Sequence, residues 1–325
     1  MVNLPFEINR TQVKPWVLVT SVIKVARPFH WTKNLAIFAA LIFTGTLFIK
    51  FYFVKAVWAF VAFCLVTSAT YIFNDLMDAK LDRLHPIKKE RPIAKGTVSA
   101  PLAFGLFLAF AFVAIYIARL LNPLFSLLVI AYLAIQITYS LGLKNLAIID
   151  ILIVASGFII RVYAGAFVIN AHLSVWFLLC VISVALFLAS GKRRAELGVI
   201  QATPGVTRKS LSKYSKPLLD SYVTMFGNAA WMSWALFTFF ESPPATLPIW
   251  LFLAEISKTT TINKLLMITI PIVIFGIMRY EKLIFEDRSE APEKLLLTDI
   301  SLMTAVAVWL ALVVFILYGG ISPFI

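Results

Sequence analysis

The sequence predicts an all-α membrane protein, and the composition, the long apolar segments and the placement of the basic residues all support this fold class. Of the 325 residues, 61% are hydrophobic and 14% are charged, whereas soluble domains average about 25% charged residues. In so apolar a chain, the net charge of +13 indicates loops that face anionic lipid and phosphorylated molecules. We therefore expect no nucleic-acid partner.

Nine apolar segments of the sequence approach the roughly 20 residues that a membrane-spanning helix needs. They are residues 35–53, 56–74, 101–118, 123–142, 147–168, 173–190, 220–240, 263–280 and 301–320. Residues 245–257 are either an interfacial helix or a false span. We expect residues 1–34 to form a cytoplasmic or interfacial segment and residues 35–325 to form a single transmembrane domain.

The basic residues predict how the nine spans are oriented. Most of them fall before the first span or in the connections after the even-numbered spans. The positive-inside rule then places the N-terminus in the cytoplasm and the C-terminus outside. We expect a prokaryotic plasma membrane protein whose functional side faces the cytoplasm. Cys64 and Cys180 lie within apolar segments, which favours packing roles over a disulfide or a zinc site.

An acidic motif follows the second predicted span. Asp75, Asp78 and Asp82 are spaced three and four residues apart, so they share one face of a helix, with Asn74 at its edge. A solvated helix end is the simpler interpretation, but like charges at this spacing repel one another. Mg²⁺ binds oxygen ligands of this kind and commonly shares them with substrate phosphates. We therefore favour a Mg²⁺ site at these four residues, with catalytic roles for the three aspartates.

Basic residues come directly after the acidic motif. Arg83, Lys88 and Arg91 would hold phosphate oxygens beside the metal, although any cytoplasmic loop collects such residues. Lys33 and Asn34, which precede the first span, and Lys192 and Arg193, which follow the sixth, are further candidates for phosphate contacts. The positive-inside rule explains the last two equally well.

A second polar group lies around the start of the fifth predicted span. Tyr139, Lys144 and Asp150 precede or begin this span, and Arg161 lies deeper within it. Asp150 and Arg161 share a helical face that should point into the bundle, because lipid exposure of a charge is costly. Three turns separate them, so each needs another partner. We favour substrate or metal contacts, including a catalytic role for Asp150, over a structural ion pair.

The acidic motif resembles that of the UbiA superfamily of intramembrane prenyltransferases. The matching residues are Asn74, Asp75, Asp78, Asp82, Arg91, Pro92 and Gly96. A finer resemblance is to the decaprenyl-phosphate phosphoribosyltransferase branch, which is matched by Arg27, Pro28, Trp31, Lys33, Asn34, Asp82, Arg83, His85, Pro86, Lys88, Tyr139, Ser140, Gly142, Lys144, Asp150, Arg161, residues 190–193 and residues 286–293. Leu146 occupies the position at which the superfamily often carries another acid.

The resemblance implies transfer of a phosphoribosyl group from 5-phosphoribosyl pyrophosphate to a polyprenyl phosphate, such as decaprenyl phosphate, with Mg²⁺ assisting the departure of pyrophosphate. One alternative is transfer of a polyprenyl group from its diphosphate to an aromatic or lipid-precursor acceptor. Another is a transporter, but transporters tend to place ionisable groups near the membrane midplane. Here the densest group of acids lies at the predicted membrane boundary.

Overall fold

The computed structural model describes residues 15–84, 88–202, 210–241, 260–286, 295 and 298–319, and these residues form helices and no strand. The predicted all-α fold class is confirmed. Six helices in this part of the chain are long and apolar enough to cross a bilayer. The count of nine spans and the cytoplasmic N-terminus stay predictions.

The helices are labelled in chain order. They are α1 (Pro15–Ala26), a 3₁₀ helix (Pro28–Ile37) that continues as α2 (Phe38–Phe43), α3 (Lys50–Asp82), α4 (Pro92–Lys95), α5 (Ala100–Leu121), α6 (Pro123–Leu141), α7 (Ile149–Val168), α8 (Val175–Ala202), α9 (Lys216–Phe240), a 3₁₀ helix (Thr260–Thr269) that continues as α10 (Ile270–Phe285), and α11 (Ile300–Tyr318). Side chains of Ser99, Asn122 and Ser215 cap α5, α6 and α9, and each of these helices has a proline in its first turn, where its missing N–H breaks no helical hydrogen bond.

The first predicted span, residues 35–53, is wrong in its bounds. The chain turns after α2, where Gly45 has a φ of 75°, and α3 begins at Lys50. Apolar residues continue through this turn, so hydropathy alone does not mark it. The 33 residues of α3 span about 50 Å at 1.5 Å per residue, which exceeds the roughly 30 Å of a bilayer's hydrocarbon core. Helix α3 is therefore long enough to extend beyond the hydrocarbon core.

The 3₁₀ helix Pro28–Ile37 packs against both α3 and α7. A Cβ added to Gly165 of α7 would lie 2.0 Å from the carbonyl oxygen of Ile37, so this approach requires glycine. The expected domain boundary between residues 34 and 35 falls inside this helix, where Asn34 and Ile37 are buried. Residues 1–14 lie outside the described part of the chain.

The main apolar core lies toward the end of the bundle opposite the acidic motif. Its aromatic centre includes Phe43, Phe177 and Phe237, with ring centroids 4.8 Å apart for Phe43 and Phe177 and 5.3 Å apart for Phe177 and Phe237. On α3, Ala59 and Ala62 are fully buried. Small residues of this kind let membrane helices approach closely, and they fix α3 among its neighbours.

The sixth predicted span, residues 173–190, ends too early. Helix α8 continues to Ala202 and carries Arg193 and Arg194, whose side chains are only 1% and 2% exposed. Arg193 pairs with Asp150 and Arg194 pairs with Asp220. A charge can be buried when it is paired. These ion pairs therefore allow both arginines to lie in a buried part of α8, where the sequence predicts a loop.

The eighth predicted span, residues 263–280, is displaced along the chain. A 3₁₀ helix with non-helical backbone at Lys264 precedes α10, and α10 itself ends at Phe285. The segment 245–257, for which two interpretations were open, lies outside the described residues.

Candidate active site

The acidic motif occupies the C-terminal end of α3. The side chains of Asp75 and Asp82 are 3% and 6% exposed, while that of Asp78 is 21% exposed. Arg91 contacts both Asp75 and Asp82, so these two carboxylates lie side by side, as their spacing predicts. A buried carboxylate needs a cationic or hydrogen-bonding partner, and basic residues from other segments supply it.

Two arginines neutralise the most buried carboxylates. Arg27 Nη2 donates to Asp75 Oδ1 at 2.6 Å. Arg91 Nη1 lies 3.1 Å from the same oxygen of Asp75 and 2.7 Å from Asp82 Oδ2. The two arginines come from segments on either side of α3 in the sequence. Arg27 precedes the 3₁₀ helix Pro28–Ile37, and Arg91 immediately precedes α4. Arg91 lies beside the acids, and its contact with phosphate oxygens stays a prediction.

The third cation comes from the connection between α6 and α7. Lys144 Nζ donates to Asp78 Oδ1 at 2.5 Å. Asn74 Nδ2 donates to the other oxygen of Asp78 at 3.2 Å, and Ser140 Oγ donates to Asn74 Oδ1 at 3.3 Å. The predicted second polar motif therefore meets the first one here. We call the three aspartates and their three cations the acid–base cluster, which comprises Asp75, Asp78, Asp82, Arg27, Arg91 and Lys144.

Arg27 is a member of the cluster to which the sequence assigns no role. It has a left-handed backbone, with φ 52° and ψ 60°, which is uncommon for any residue but glycine. Its guanidinium carbon lies 4.8 Å from the centroid of the Tyr71 ring, a cation–π distance. The one sequence signal that could have drawn attention to Arg27 is the resemblance, because Arg27 and Pro28 are among the matching residues.

The basic loop after α3 lies beside the cluster. Arg83 Nε donates to the carbonyl oxygen of Ala94 at 3.1 Å, and this bond ties the end of α3 to α4. Lys88 is half-buried and interacts electrostatically with Asp82. His85 and Pro86, which carry part of the resemblance, lie outside the described residues. Direct phosphate contacts by Arg83 and Lys88 stay predictions.

Lys33 and Lys192 are both half-buried. Lys33 lies in the 3₁₀ helix Pro28–Ile37, and Lys192 lies in α8. Their phosphate contacts also stay predictions.

Asn34 and Arg161 form a separate group deeper in the bundle. Arg161 Nε donates to Asn34 Oδ1 at 2.7 Å, and its Nη1 donates to the carbonyl oxygen of Gly157 at 2.5 Å. Its Nη2 donates to the Tyr132 hydroxyl at 2.9 Å. Thr67 also contacts this guanidinium and lies eight residues before Asp75 on α3, or about 12 Å along a helix. The structure does not bring Asn34 and Arg161 into the acid–base cluster.

Asp150, Tyr139 and Arg193 form a third group beside the cluster. Asp150 is fully buried at the start of α7, and its carboxylate lies 3.0 Å from Arg193 Nε. Arg193 Nη2 donates to the Tyr139 hydroxyl at 3.2 Å. Tyr214 and Ser210 also donate to Asp150, at 2.7 and 3.2 Å. The structure therefore brings Asp150 together with Arg193 and not with the other three aspartates.

The oxygen donors at the end of α3 suit a hard divalent cation, since carboxylate and amide oxygens are what Mg²⁺ prefers. Among the residues that the structure describes, no three acidic, histidine or cysteine side chains converge closely enough to hold a metal by themselves. Mg²⁺ commonly takes only one or two protein carboxylates and completes its shell with phosphate oxygens and water. The donors therefore fit a metal ion that binds together with a diphosphate.

Comparisons with known proteins agree with this arrangement. Residues 34–192 match the model of the UbiA prenyltransferase family. The decaprenyl-phosphate phosphoribosyltransferase of Mycolicibacterium smegmatis is 38% identical over 237 residues, which cover 72% of this chain and 74% of the relative. The enzyme of the same name from Corynebacterium glutamicum is 33% identical over 316 residues, which cover 96% and 91% of the two chains.

Solved structures show the same fold. A UbiA homolog from Archaeoglobus fulgidus, solved with GPP and Mg²⁺ bound, superposes with a TM-score of 0.64 at 16% identity, and the match covers 93% of this chain and 99% of that one. The family match includes the acidic motif, Arg91 and Lys144, and it begins after Arg27. On the family match and the two relatives at 33% and 38% identity, the chain belongs to the UbiA prenyltransferase family.

Proposed function

We propose that this chain transfers a phosphoribosyl group from 5-phosphoribosyl pyrophosphate to a polyprenyl phosphate, such as decaprenyl phosphate. Two relatives that the chain covers over most of their length carry the name of this activity. The observation that supports it best in the structure is the acid–base cluster. It combines oxygen donors suited to a divalent ion with three cations suited to phosphate oxygens.

The three cations of the cluster would bind the donor's diphosphate. Arg27 and Arg91 offer planar guanidinium groups that can donate two parallel hydrogen bonds to a phosphate, and Lys144 offers a point charge. The ion pair with Asp82 holds Arg91 in place. Mg²⁺, when bound by Asp75, Asp78 and Asn74, would neutralise charge on the departing pyrophosphate.

The reaction is a substitution at the anomeric carbon of the ribose. The bond from this carbon to the pyrophosphate oxygen breaks, and the pyrophosphate leaves with the electron pair while positive charge develops on the sugar. An oxygen of the acceptor phosphate forms the new bond to the same carbon. A phosphate monoester is already anionic at pH 7, so the chain needs no general base.

The position of the cluster suits a reaction between a soluble donor and a lipid acceptor. At the membrane surface, the end of α3 would lie where a charged sugar phosphate from the aqueous phase can meet the headgroup of a lipid whose chain stays in the bilayer. The positive-inside rule supports the cytoplasmic side of a prokaryotic plasma membrane for this end of the bundle.

The test is an assay of membranes that contain the full chain. They are incubated with ribose-labelled phosphoribosyl pyrophosphate and a polyprenyl phosphate, with Mg²⁺ or with EDTA. We expect a labelled lipid that requires Mg²⁺ and that Asp78→Asn abolishes. The matched control is Glu90→Gln, which removes one carboxylate charge from an exposed ion pair with Lys95 and should leave transfer intact. Absence of labelled lipid, together with prenylation of an aromatic acid, would replace the proposal with the prenyltransferase alternative.

A further inference from the structure

The carboxylate of Asp150 is held by the chain's own groups. Tyr214 donates to one of its oxygens at 2.7 Å, Ser210 donates to the other at 3.2 Å, and Arg193 pairs with it at 3.0 Å. Tyr214 and Ser210 belong to the segment just before α9, and Arg193 belongs to α8. Two elements that are distant in sequence therefore converge on the first turn of α7.

The backbone beside Asp150 is held in an uncommon conformation. Ile148 has φ 70° and ψ −50°, which is an outlier for a β-branched residue. Such a conformation persists only where the surrounding structure enforces it. The Tyr214 hydroxyl accepts from the backbone N–H of Ile148 at 2.5 Å while it donates to Asp150. A single hydroxyl thus fixes both the strained residue and the carboxylate.

The Tyr214 hydroxyl keeps the proton that this arrangement needs. Burial raises the pKa of Tyr214, and the hydrogen bond to Asp150 acts in the same direction. The ring is also buried in an apolar cluster with Ile151, Leu197 and Leu219. The Tyr214 hydroxyl therefore stays protonated at neutral pH and donates to Asp150.

These contacts enclose the connection that carries Lys144. Just before the connection, in the last turn of α6, the Tyr139 hydroxyl accepts from Arg193 at 3.2 Å. At its end, Ile148 is bound by Tyr214. Lys144 lies between them in a short 3₁₀ turn and reaches Asp78 at 2.5 Å. A connection fixed at both ends loses little conformational entropy when its lysine binds a ligand.

We infer that Tyr214, through Asp150 and Ile148, is a positioning residue that holds Lys144 ready for the donor's diphosphate. We call this set of contacts the Tyr214 latch. The inference rests on the proposed function, because it needs Lys144 to contact the phosphates of the donor.

The first test compares Tyr214→Phe with Tyr222→Phe in the full chain. Tyr222 packs at the edge of the same apolar cluster and lies outside the latch, so it controls for loss of a tyrosine hydroxyl from this region. We expect Tyr214→Phe to raise the KM for phosphoribosyl pyrophosphate about tenfold while kcat stays within twofold, as for loss of binding shared by ground state and transition state. Tyr222→Phe should change neither parameter. Equal behaviour of the two variants would overturn the inference.

A second measurement separates positioning from general loosening. In a Lys144→Gln background, Tyr214→Phe should raise KM less than twofold further, because residues that act through one another are not additive. Additive effects would overturn the inference. Hydrogen exchange of residues 143–149 should also become faster in Tyr214→Phe and stay unchanged in Tyr222→Phe.

The latch and the proposed function fail in different ways. If membranes that contain the full wild-type chain make no labelled lipid, the proposed function fails. If the wild-type chain makes the labelled lipid and Tyr214→Phe matches the Tyr222→Phe control, only the latch fails. Should Tyr214→Phe not accumulate in membranes, Ser210→Ala replaces it, with a KM rise of about threefold expected and an unchanged KM counting against the latch.

Discussion

Replacing Arg27 by glutamine tests whether a residue outside the family-matched stretch belongs to the active site. Arg27 donates to Asp75 at 2.6 Å, and that carboxylate is 3% exposed. Removing one partner of a buried pair costs about 3–5 kcal/mol when the remaining charge is left alone, whereas a hydrogen bond to a charged group is worth about 1.5–3 kcal/mol. Arg91 stays at 3.1 Å from the same oxygen, so we expect the lower range, about 2 kcal/mol.

This magnitude gives the expected kinetic effect. If the full 2 kcal/mol is lost from the transition state, kcat/KM for phosphoribosyl transfer falls about 30-fold, at 1.36 kcal/mol per factor of ten. The matched control is Arg279→Gln, since Arg279 makes two hydrogen bonds to Asp299, at 3.1 and 2.7 Å, and lies outside the acid–base cluster. Arg27→Gln membranes with more than half of the wild-type kcat/KM, or an equal loss in the control, would refute the reasoning.

Three further predictions concern packing, the buried arginine and the metal. Gly165→Ala should destabilise the protein by about 1–3 kcal/mol or more through overpacking, measured by thermal unfolding in detergent, whereas Gly105→Ala, which meets no atom within 4 Å, should not. Arg161→Met should lower the thermal unfolding midpoint, because Asn34 and Tyr132 lose the hydrogen-bond donor that Arg161 supplies. The KM for phosphoribosyl pyrophosphate should change less than twofold. A tenfold rise in this KM would instead assign Arg161 to the substrate site. Mn²⁺ titrated into the protein and followed by electron paramagnetic resonance should bind more tightly with pyrophosphate present, and equal affinity without it would contradict a shared metal site.

The acidic motif could be predicted because its geometry is local. Spacings of three and four place Asp75, Asp78 and Asp82 on one helical face whatever the tertiary structure. The partners of these acids could not be predicted in the same way. Arg27 and Asp75 are 48 residues apart, and Lys144 and Asp78 are 66 apart. Such pairs depend on how helices pack, which no local pattern specifies.

The buried charges have partners that the sequence does not reveal. An ionisable residue within a membrane span is by default a candidate for a functional site. Arg161 is surrounded by neutral acceptors, and Arg193, in α8, pairs with both Asp150 and Glu196. Contacts of these arginines with substrate stay predictions. The sequence argument that Asp150 and Arg161 need separate partners holds. Their partners include Tyr214 and Asn34, which come from distant segments and could not be identified from the sequence.

The docking of the 3₁₀ helix Pro28–Ile37 has a consequence for biosynthesis. Its buried Asn34 is bound by Arg161, which the ribosome adds 127 residues later. At about 5–20 residues per second, synthesis of this stretch takes about 6–25 s. Until α7 has inserted, this early segment lacks one of the two helices against which it packs. Assembly of the acid–base cluster must therefore wait for the middle of the chain, which supplies Lys144, even though Arg27 is translated well before it.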